Sequence, residues 1–156
     1  MARNKCQLAS AKDDLNANDY WGNLLNGKFP NKIDFTQLQC YGVIKEGKPV
    51  VAWAFHSYLG YKNNNMMELE AGVSIASFSK DWKPRRTIKK ILSLFFKDMR
   101  YNRLTAVTHT SNRQAVRLVK LAGFTQEGII RRPAKIENKL QFSLLREDFE
   151  GGRFYG

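Results

Sequence analysis

Glu68 and Glu70, two carboxylates separated by one residue, are the side chains of this sequence best placed to exchange a proton with a substrate. They lie in the segment MMELEAGVSIA, where apolar and polar residues alternate as in a half-buried strand. Residues two apart on a strand share a face, and neighbouring carboxylates can raise the pKa of one of the pair. Glu70 is therefore our candidate general base. The alternative is that both glutamates form ion pairs with Lys or Arg.

A strongly basic segment follows, from Lys80 to Arg103. It holds nine Lys or Arg residues and two Asp residues, a local charge of +7 within a chain of net charge +12. Such a charge attracts anions over about a Debye length. A phosphorylated cofactor such as coenzyme A, a nucleic acid or an acidic protein surface would each fit it. A solvated basic helix face is the remaining interpretation.

The composition predicts one folded domain. Of the 156 residues, 43% are hydrophobic and 12% aromatic, which is enough apolar surface for a core. The longest apolar run, Pro49 to Phe55, is far shorter than the ~20 residues of a membrane span, and the N-terminus lacks the apolar core of a secretion signal. We therefore expect a cytoplasmic protein. Cys6 and Cys40 have no metal-ligand spacing to His or Cys, so we expect reduced thiols and no metal site.

The first half of the chain changes from irregular to strand-forming sequence. The first 35 residues are polar, with one or two short helices in DDLNANDYWGNLL and a turn-rich connection in GKFPNK. Strands are predicted over QCYGVIKE and PVVAWAFHSY, joined by a turn at Glu46-Gly47-Lys48. A third strand, MMELEAGVSIA, follows a polar break at residues 62–65.

The second half alternates between helical and strand periodicity. A helix is predicted from Pro84 to Met99, with a buried stripe of Ile88, Ile91, Leu92, Phe95, Phe96 and Met99. Further strands are predicted at Arg103 to His109, Thr125 to Arg132 and Lys139 to Arg146, with a frayed tail beyond Glu147. We expect an α/β domain whose mixed sheet begins antiparallel and becomes parallel where Met66 to Ala76 adjoins Arg103 to His109.

A helix, its end and the next strand are predicted together by NRQAVRLVKLAGFTQEGIIR, from Asn112 to Arg131. Its apolar positions recur with helical spacing and form one face, made by Ala115, Leu118, Val119 and Ala122. Ser111 and Gln114 have the spacing of a capping box, and Gly123 stands where a left-handed residue ends a helix. Phe124 then opens a strand.

The pattern N-x-x-A-x-R-L-x-x-x-x-G-F-x-x-E-G in this segment resembles the C-terminal half of the GNAT acyltransferase superfamily. It is most similar to the ribosomal-protein N-acetyltransferase type and its short, phage-encoded relatives. The element order over residues 39–146 agrees with that fold, which has helices on both faces of a mixed central sheet. The resemblance implies one domain over residues 1–156, with a helical N-terminal part (1–35) and a tail (147–156). It implies direct acetyl transfer from acetyl-CoA to an amine, with a protein N-terminus or lysine as acceptor.

In GNAT enzymes a loop and the following helix N-terminus hold the cofactor pyrophosphate with the pattern [QR]-x-x-G-x-[GA]. The resemblance places this pattern on Lys83, Pro84, Arg85, Arg86, Thr87 and Ile88. Arg86 and Ile88 stand where the family has small residues, so side chains crowd the expected phosphate surface. Backbone amides remain, and Lys83, Arg85 and Arg86 could bind phosphate by charge-assisted hydrogen bonds. Otherwise this is a basic, solvent-facing helix start.

The resemblance also implies roles for other residues of the chain. A backbone amide near Val73, Ser74 and Ile75 would stabilise the oxyanion. Asn112 would contact the pantetheine arm or a catalytic water, or else simply hydrogen-bond at the helix start. Many relatives have a tyrosine seven residues further on that protonates the thiolate, but Val119 stands there. The two histidines, His56 and His109, lie at predicted strand ends and receive no role, since lone histidines are more often structural or solvated.

Two functions therefore compete. The first is an acetyl-CoA-dependent N-acetyltransferase with an amine acceptor, and we expect no membrane partner. The second is a catalytically inactive GNAT-fold module that binds nucleic acid, an acidic partner protein or a virion assembly. The missing small residues and Val119 motivate the second hypothesis, and steep salt dependence of nucleic-acid binding would distinguish it.

Overall fold

A computed structural model describes residues 7–10, 15–28, 38–63, 66–80 and 84–156. The strands are β1 (Gln7–Ser10), β2 (Gln39–Lys45), β3 (Lys48–Asn63), β4 (Met66–Ser77), β5 (Arg103–His109), β6 (Thr125–Ile130) and β7 (Lys139–Leu145). The helices are α1 (Leu15–Lys28), α2 (Pro84–Ser93), α3 (Arg113–Leu121) and α4 (Arg146–Glu150), and α2 continues as a π-helical turn over Leu94–Asp98. No helix in the described part of the chain is long and apolar enough to cross a membrane.

The sheet is mixed, as the sequence predicts. Its strand order is β1-β2-β3-β4-β5-β7-β6. Strands β4 and β5 pair in parallel, whereas β1 with β2, β2 with β3, β5 with β7 and β6 with β7 pair antiparallel. The predicted strand Arg103 to His109 is confirmed at both ends, and β6 and β7 each begin at their predicted residue. Together these elements confirm the predicted α/β fold with one parallel pair.

Three details of the predicted elements are wrong. The first 35 residues include a strand, β1, which the polar sequence gave no reason to expect. Lys62 and Asn63, the first two residues of the predicted polar break, belong to β3, and residues 64–65 lie outside the described residues. The predicted frayed tail begins instead with α4, and Phe149 and Phe154 within it are buried. Residues 29–37, which include most of the predicted turn-rich connection, and Cys6 lie outside the described residues.

The chain divides into two compact units, Met1–His56 with Val73–Trp82, and Ser57–Gly72 with Lys83–Gly156. In the first unit, one buried cluster contains Trp21, Leu25, Cys40, Ala52, Ala54 and Ala76. Elsewhere in this unit, the buried rings of Tyr41 on β2 and Trp53 on β3 stack with their centroids 5.9 Å apart. Burial raises the pKa of the Cys40 thiol to about 11, which keeps the thiol protonated. Apolar packing therefore holds α1 and the strands of this unit together.

Two glycines of the first unit have structural roles. Gly47 (φ +75°) follows Glu46 (φ 53°) in the turn between β2 and β3, so two consecutive left-handed residues reverse the chain. This is the geometry that a two-residue hairpin requires. Gly42 on β2 lies against the ring of Trp21 on α1, and a Cβ atom there would overlap that ring. The absence of a side chain at Gly42 is therefore what lets α1 approach the sheet.

In the second unit, Asn102 fixes the start of the parallel pairing. Its backbone N–H donates to the Leu69 carbonyl (2.8 Å), and its side-chain Oδ1 accepts from the Leu69 N–H (2.9 Å). The register then runs from Glu70 opposite Arg103 to Gly72 opposite Thr105. Strand β4 runs on to Ser77 and strand β5 to His109.

The core of the second unit is built on the apolar stripe of α2. Its buried residues are Ile88, Ile91, Leu92, Phe95, Phe96, Leu104, Ala106, Ala122, Phe142, Leu144, Phe149 and Phe154. Phe149 of α4 stacks on Phe96 at 5.0 Å, and Lys97 lies 4.7 Å over the ring of Tyr155. These contacts hold the chain beyond Glu147 against the end of the α2 stripe, where Phe149 covers Phe96.

We predict that Gly42→Ala destabilises the protein by about 1–3 kcal/mol, because the added methyl group must displace the Trp21 ring. The control is Gly27→Ala in α1, where a Cβ atom would have no neighbour within 4 Å. Alanine is favoured over glycine in a helix, so the control is expected to be neutral or slightly stabilising. Urea unfolding midpoints of the two variants measure the difference. Equal midpoints would contradict the proposed close packing of α1 on β2.

Candidate functional site

The first turn of α2 contains the predicted phosphate-binding residues. Arg85 and Arg86 are exposed to solvent, whereas Thr87 (5% exposed) and Ile88 (3% exposed) are buried. Ile88 is the first residue of the apolar stripe, so core packing turns its side chain inward. Ile88 therefore does not contribute to the outer surface of this turn, which presents two guanidinium groups. Lys83 lies outside the described residues.

The helix geometry of this turn favours anions. The first N–H groups of a helix have no carbonyl partner within it, and the aligned peptide dipoles place positive partial charge there. Pro84 has no N–H to contribute, which leaves the amides of Arg85 and Arg86 in the first turn. Amide and guanidinium donors thus lie together on two consecutive residues, and such a set suits phosphate oxygens.

On β4, the three residues assigned to the oxyanion differ in exposure. Val73 is buried (9% exposed), and Ser74 and Ile75 are half-buried. The Ser74 hydroxyl lies 2.9 Å from Nε2 of His56 on β3, and both side chains are half-buried. No role for His56 was predicted, because a contact between residues eighteen positions apart on two strands has no local sequence signal.

Glu70, the predicted general base, is held beside a cation in the second unit. Its Oε2 lies 3.9 Å from Nε of Arg103, and Nη2 of Arg103 lies 3.7 Å from Oε1 of Glu127. Glu127 also accepts a hydrogen bond from the Ser143 hydroxyl. These groups are between 23% and 44% exposed, so each ion pair contributes only about 0–1 kcal/mol. Glu68, two residues before Glu70 on the same strand, is exposed to solvent.

Asn112 begins helix α3. Its Oδ1 accepts a hydrogen bond from the Ala115 N–H at 3.1 Å, which makes it the N-cap residue. The predicted capping box led by Ser111 is therefore wrong: Asn112, one residue later, is the N-cap, and Ala115 at the third helical position has no side-chain acceptor to complete a box. Gly123 has φ +92° and ends the helix as expected. Val119 is half-buried on α3, and its aliphatic side chain cannot donate a proton.

Glu137, which sequence analysis missed, fastens the turn before α3. It lies in the connection between β6 and β7, where it accepts hydrogen bonds from the Ser111 N–H and from the Thr110 hydroxyl (2.8 Å). Hydrogen bonding from Ser111, and then from Thr110, holds the pKa of Glu137 below its ordinary value of 4.5. Nδ1 of His109 lies 4.0 Å from the same carboxylate. The contacts span 26 and 27 residues, which no local sequence signal reveals.

Comparison with known proteins gives the fold a context. No protein-family model matches the chain, and the search of curated proteins gives no match. Solved structures do match. A ribosomal-protein-S5-alanine acetyltransferase from Vibrio fischeri is 16% identical with a TM-score of 0.59, over 71% of this chain and 63% of that one.

Two other solved structures match almost end to end. The spermidine/spermine N-acetyltransferase SpeG from Vibrio cholerae, in complex with manganese ions, is 15% identical with a TM-score of 0.65, over 94% of this chain and 96% of that one. An aminoglycoside acetyltransferase, AAC(6')-Ib, in complex with coenzyme A and kanamycin is 14% identical with a TM-score of 0.65, over 96% and 99% of the two chains. The chain therefore has the fold of GNAT acetyltransferases, as its sequence resemblance implied.

We predict that Glu137→Gln lowers the melting temperature at neutral pH. A carboxylate whose pKa is lowered in the folded state stabilises that state above its unfolded pKa. The stabilisation is lost as the pH falls through the lower, folded value, so the gap between wild type and variant should close below pH 4.5. Thermal melts between neutral and acid pH measure the gap. Glu147→Gln, which removes another exposed carboxylate, is the control, and an equal gap for both variants would contradict the proposal.

Proposed function

We propose that this protein is an acetyl-CoA-dependent N-acetyltransferase that transfers an acetyl group directly to an amine. The proposed acceptor is an amine of a protein. The observation that carries the proposal is the match of over nine-tenths of the chain to solved acetyltransferases, one of them in complex with coenzyme A. Identities of 14–15% carry the fold only, so the chemistry is argued from this chain's own residues.

The α2 turn fits the phosphate end of coenzyme A. Small residues let a backbone approach a pyrophosphate closely, and this chain lacks them. Ile88 compensates by packing into the core, and Arg86 compensates by presenting a charged donor to solvent. We propose that Arg85, Arg86 and the first-turn amides bind the phosphates, together with Lys83. In this arrangement side-chain hydrogen bonds replace part of the close backbone contact.

Strand β4 and helix α3 supply the other proposed groups. The Val73 to Ile75 amides lie on β4 beyond its parallel register with β5, and we assign one of them to the oxyanion. Asn112 uses Oδ1 to cap α3, which leaves its amide N–H₂ group for the pantetheine arm or a water. Acetyl-CoA, when bound, supplies the activated acyl group. No acid is assigned at Val119, because a thiolate leaves readily with solvent help.

The charge of the chain bears on the acceptor. A neutral amine must attack, so its proton has to pass to a base or to water. Spermidine and kanamycin, named in two of the matching structures, are polycations, and a chain of net charge +12 repels polycations at low ionic strength. A single amine on an acidic protein surface experiences the opposite effect. We therefore propose a protein N-terminus or a lysine as the acceptor.

We predict that Arg86→Ala weakens acetyl-CoA binding by about 10- to 100-fold, since a hydrogen bond to a charged group is worth about 1.5–3 kcal/mol. Lys90→Ala is the matched control, because Lys90 is an exposed cation in the last turn of the same helix. Isothermal titration at physiological ionic strength gives both dissociation constants. A direct phosphate contact predicts a large effect for Arg86 alone, whereas long-range attraction predicts equal, small effects for both.

A wild-type protein that shows no heat signal or thermal shift with millimolar acetyl-CoA would contradict this function. Steep salt dependence of DNA or RNA binding, with no thiol released from acetyl-CoA, would instead support the inactive basic module. In that case Arg86→Ala and Lys90→Ala should weaken nucleic-acid binding equally, because each removes one exposed cation.

A further inference from the structure

His56 and Ser74 form a polar pair on two strands of the first unit. Nε2 of His56 on β3 lies 2.9 Å from the Ser74 hydroxyl on β4, which is within the normal range of hydrogen-bond lengths. Both side chains are half-buried, so the pair is neither a dry core contact nor a freely rotating surface pair. A histidine held by a hydrogen-bond partner on a neighbouring strand is suited to proton transfer, because its ring is kept in one orientation.

The location of the pair is set by the alternation of side chains along each strand. His56 lies two residues after Ala54, and Ser74 lies two residues before Ala76. Both alanines belong to the buried cluster that also contains Trp21 and Leu25 of α1. The pair therefore continues the α1-covered face of these strands and lies where that cover gives way to solvent.

This location coincides with the reacting end of the proposed site. Ser74 is the central residue of Val73 to Ile75, whose amides we assign to the oxyanion. A carbonyl held by these amides would lie against β4 at the residue whose hydroxyl contacts His56. Glu70, by contrast, lies four residues earlier, about 13 Å along an extended strand, and beside Arg103. His56 is thus the titratable side chain that contacts Ser74 directly.

We infer that His56 is the general base of the acetyl transfer and that Ser74 is its positioning residue; the inference rests on the proposed function. The amine nitrogen attacks the acetyl carbonyl carbon and forms the new C–N bond. Its proton passes to the imidazole of His56, directly or through one water. The C–S bond breaks, the electron pair leaves on sulfur, and the thiolate takes a proton from solvent. His56 then returns its proton to solvent, so atoms and charges balance.

The environment of His56 favours its basic form. Burial lowers its pKa below the ordinary value of 6.5, so the imidazole is neutral and ready to accept a proton at physiological pH. Among the described residues of the neighbouring strands, the titratable ones that share its face by strand alternation are Cys40 on β2, which burial keeps protonated, and Glu68 and Glu70 on β4. The titratable side chains described on α1, which are Asp19, Tyr20 and Lys28, are all exposed to solvent.

The test is steady-state kinetics of His56→Gln with acetyl-CoA and an acceptor peptide that wild type acetylates. We expect kcat to fall by about 10²–10⁴-fold with little change in acetyl-CoA affinity. The acid limb of the wild-type pH profile, whose midpoint should lie below 6.5, should disappear. His109→Gln, the other histidine of the chain, is the matched control and should keep both kcat and the acid limb.

Ser74→Ala keeps the inference testable if His56→Gln does not fold. Loss of the hydroxyl should lower kcat and move the midpoint of the acid limb, while acetyl-CoA affinity stays unchanged, because the ring loses its orienting partner. An active wild type whose His56 and Ser74 variants keep the wild-type kcat and acid limb would overturn the inference and leave the proposed function standing. An acetylated Ser74 trapped without acceptor would also overturn it, since transfer would then pass through an acyl-enzyme. Failure of wild type to bind acetyl-CoA would remove the proposed function itself.

Discussion

The hydrogen bonds of Asn102 are the constraint on which the second unit depends. One residue satisfies both backbone groups of Leu69 on β4, and its own carbonyl accepts from the Arg146 N–H at the start of α4 (2.8 Å). A parallel strand pair cannot be closed by a tight turn, so its register has to be fixed by contacts such as these. That register sets Glu70 beside Arg103 and directs β5 towards the turn that ends at Asn112. Asn102 therefore fixes which residues of β4 and β5 lie opposite one another.

Periodicity predicted those parts of the fold in which one face is buried. Helix α2 and strands β4 and β5 were predicted closely, because their apolar residues follow a single period and neighbouring residues agree with it. Strand β1 was missed because its four residues acquire strand character from pairing with β2. The C-terminal helix was missed for a similar reason: Phe149 and Phe154 are spaced too widely to form a local pattern, and the burial of Phe149 depends on its contact with the distant Phe96.

The candidate site shows the same division between local and distant information. Sequence motifs located the α2 turn and Asn112, since helix starts have local signatures. Contacts between residues that are distant in the sequence could not be predicted from such motifs. Examples are the contact of Glu137 with Ser111 and that of His56 with Ser74. Ile88, which stands where the family has a small residue, is also placed differently from what the sequence alone suggested. A large residue at a position normally held by a small one need not block a ligand when the helix turns that side chain into the core, as it does for Ile88.

The contact between Gly42 and Trp21 has a consequence for how such chains can diverge. The indole fills the volume that a side chain at position 42 would need, so the two positions share one fixed space. A homologue that carries alanine or a larger residue in place of this glycine must carry a smaller group than indole on the helix, or shift the helix outward. The two positions should therefore covary across relatives. A smaller residue in place of Trp21 should restore the stability that a larger residue at position 42 removes.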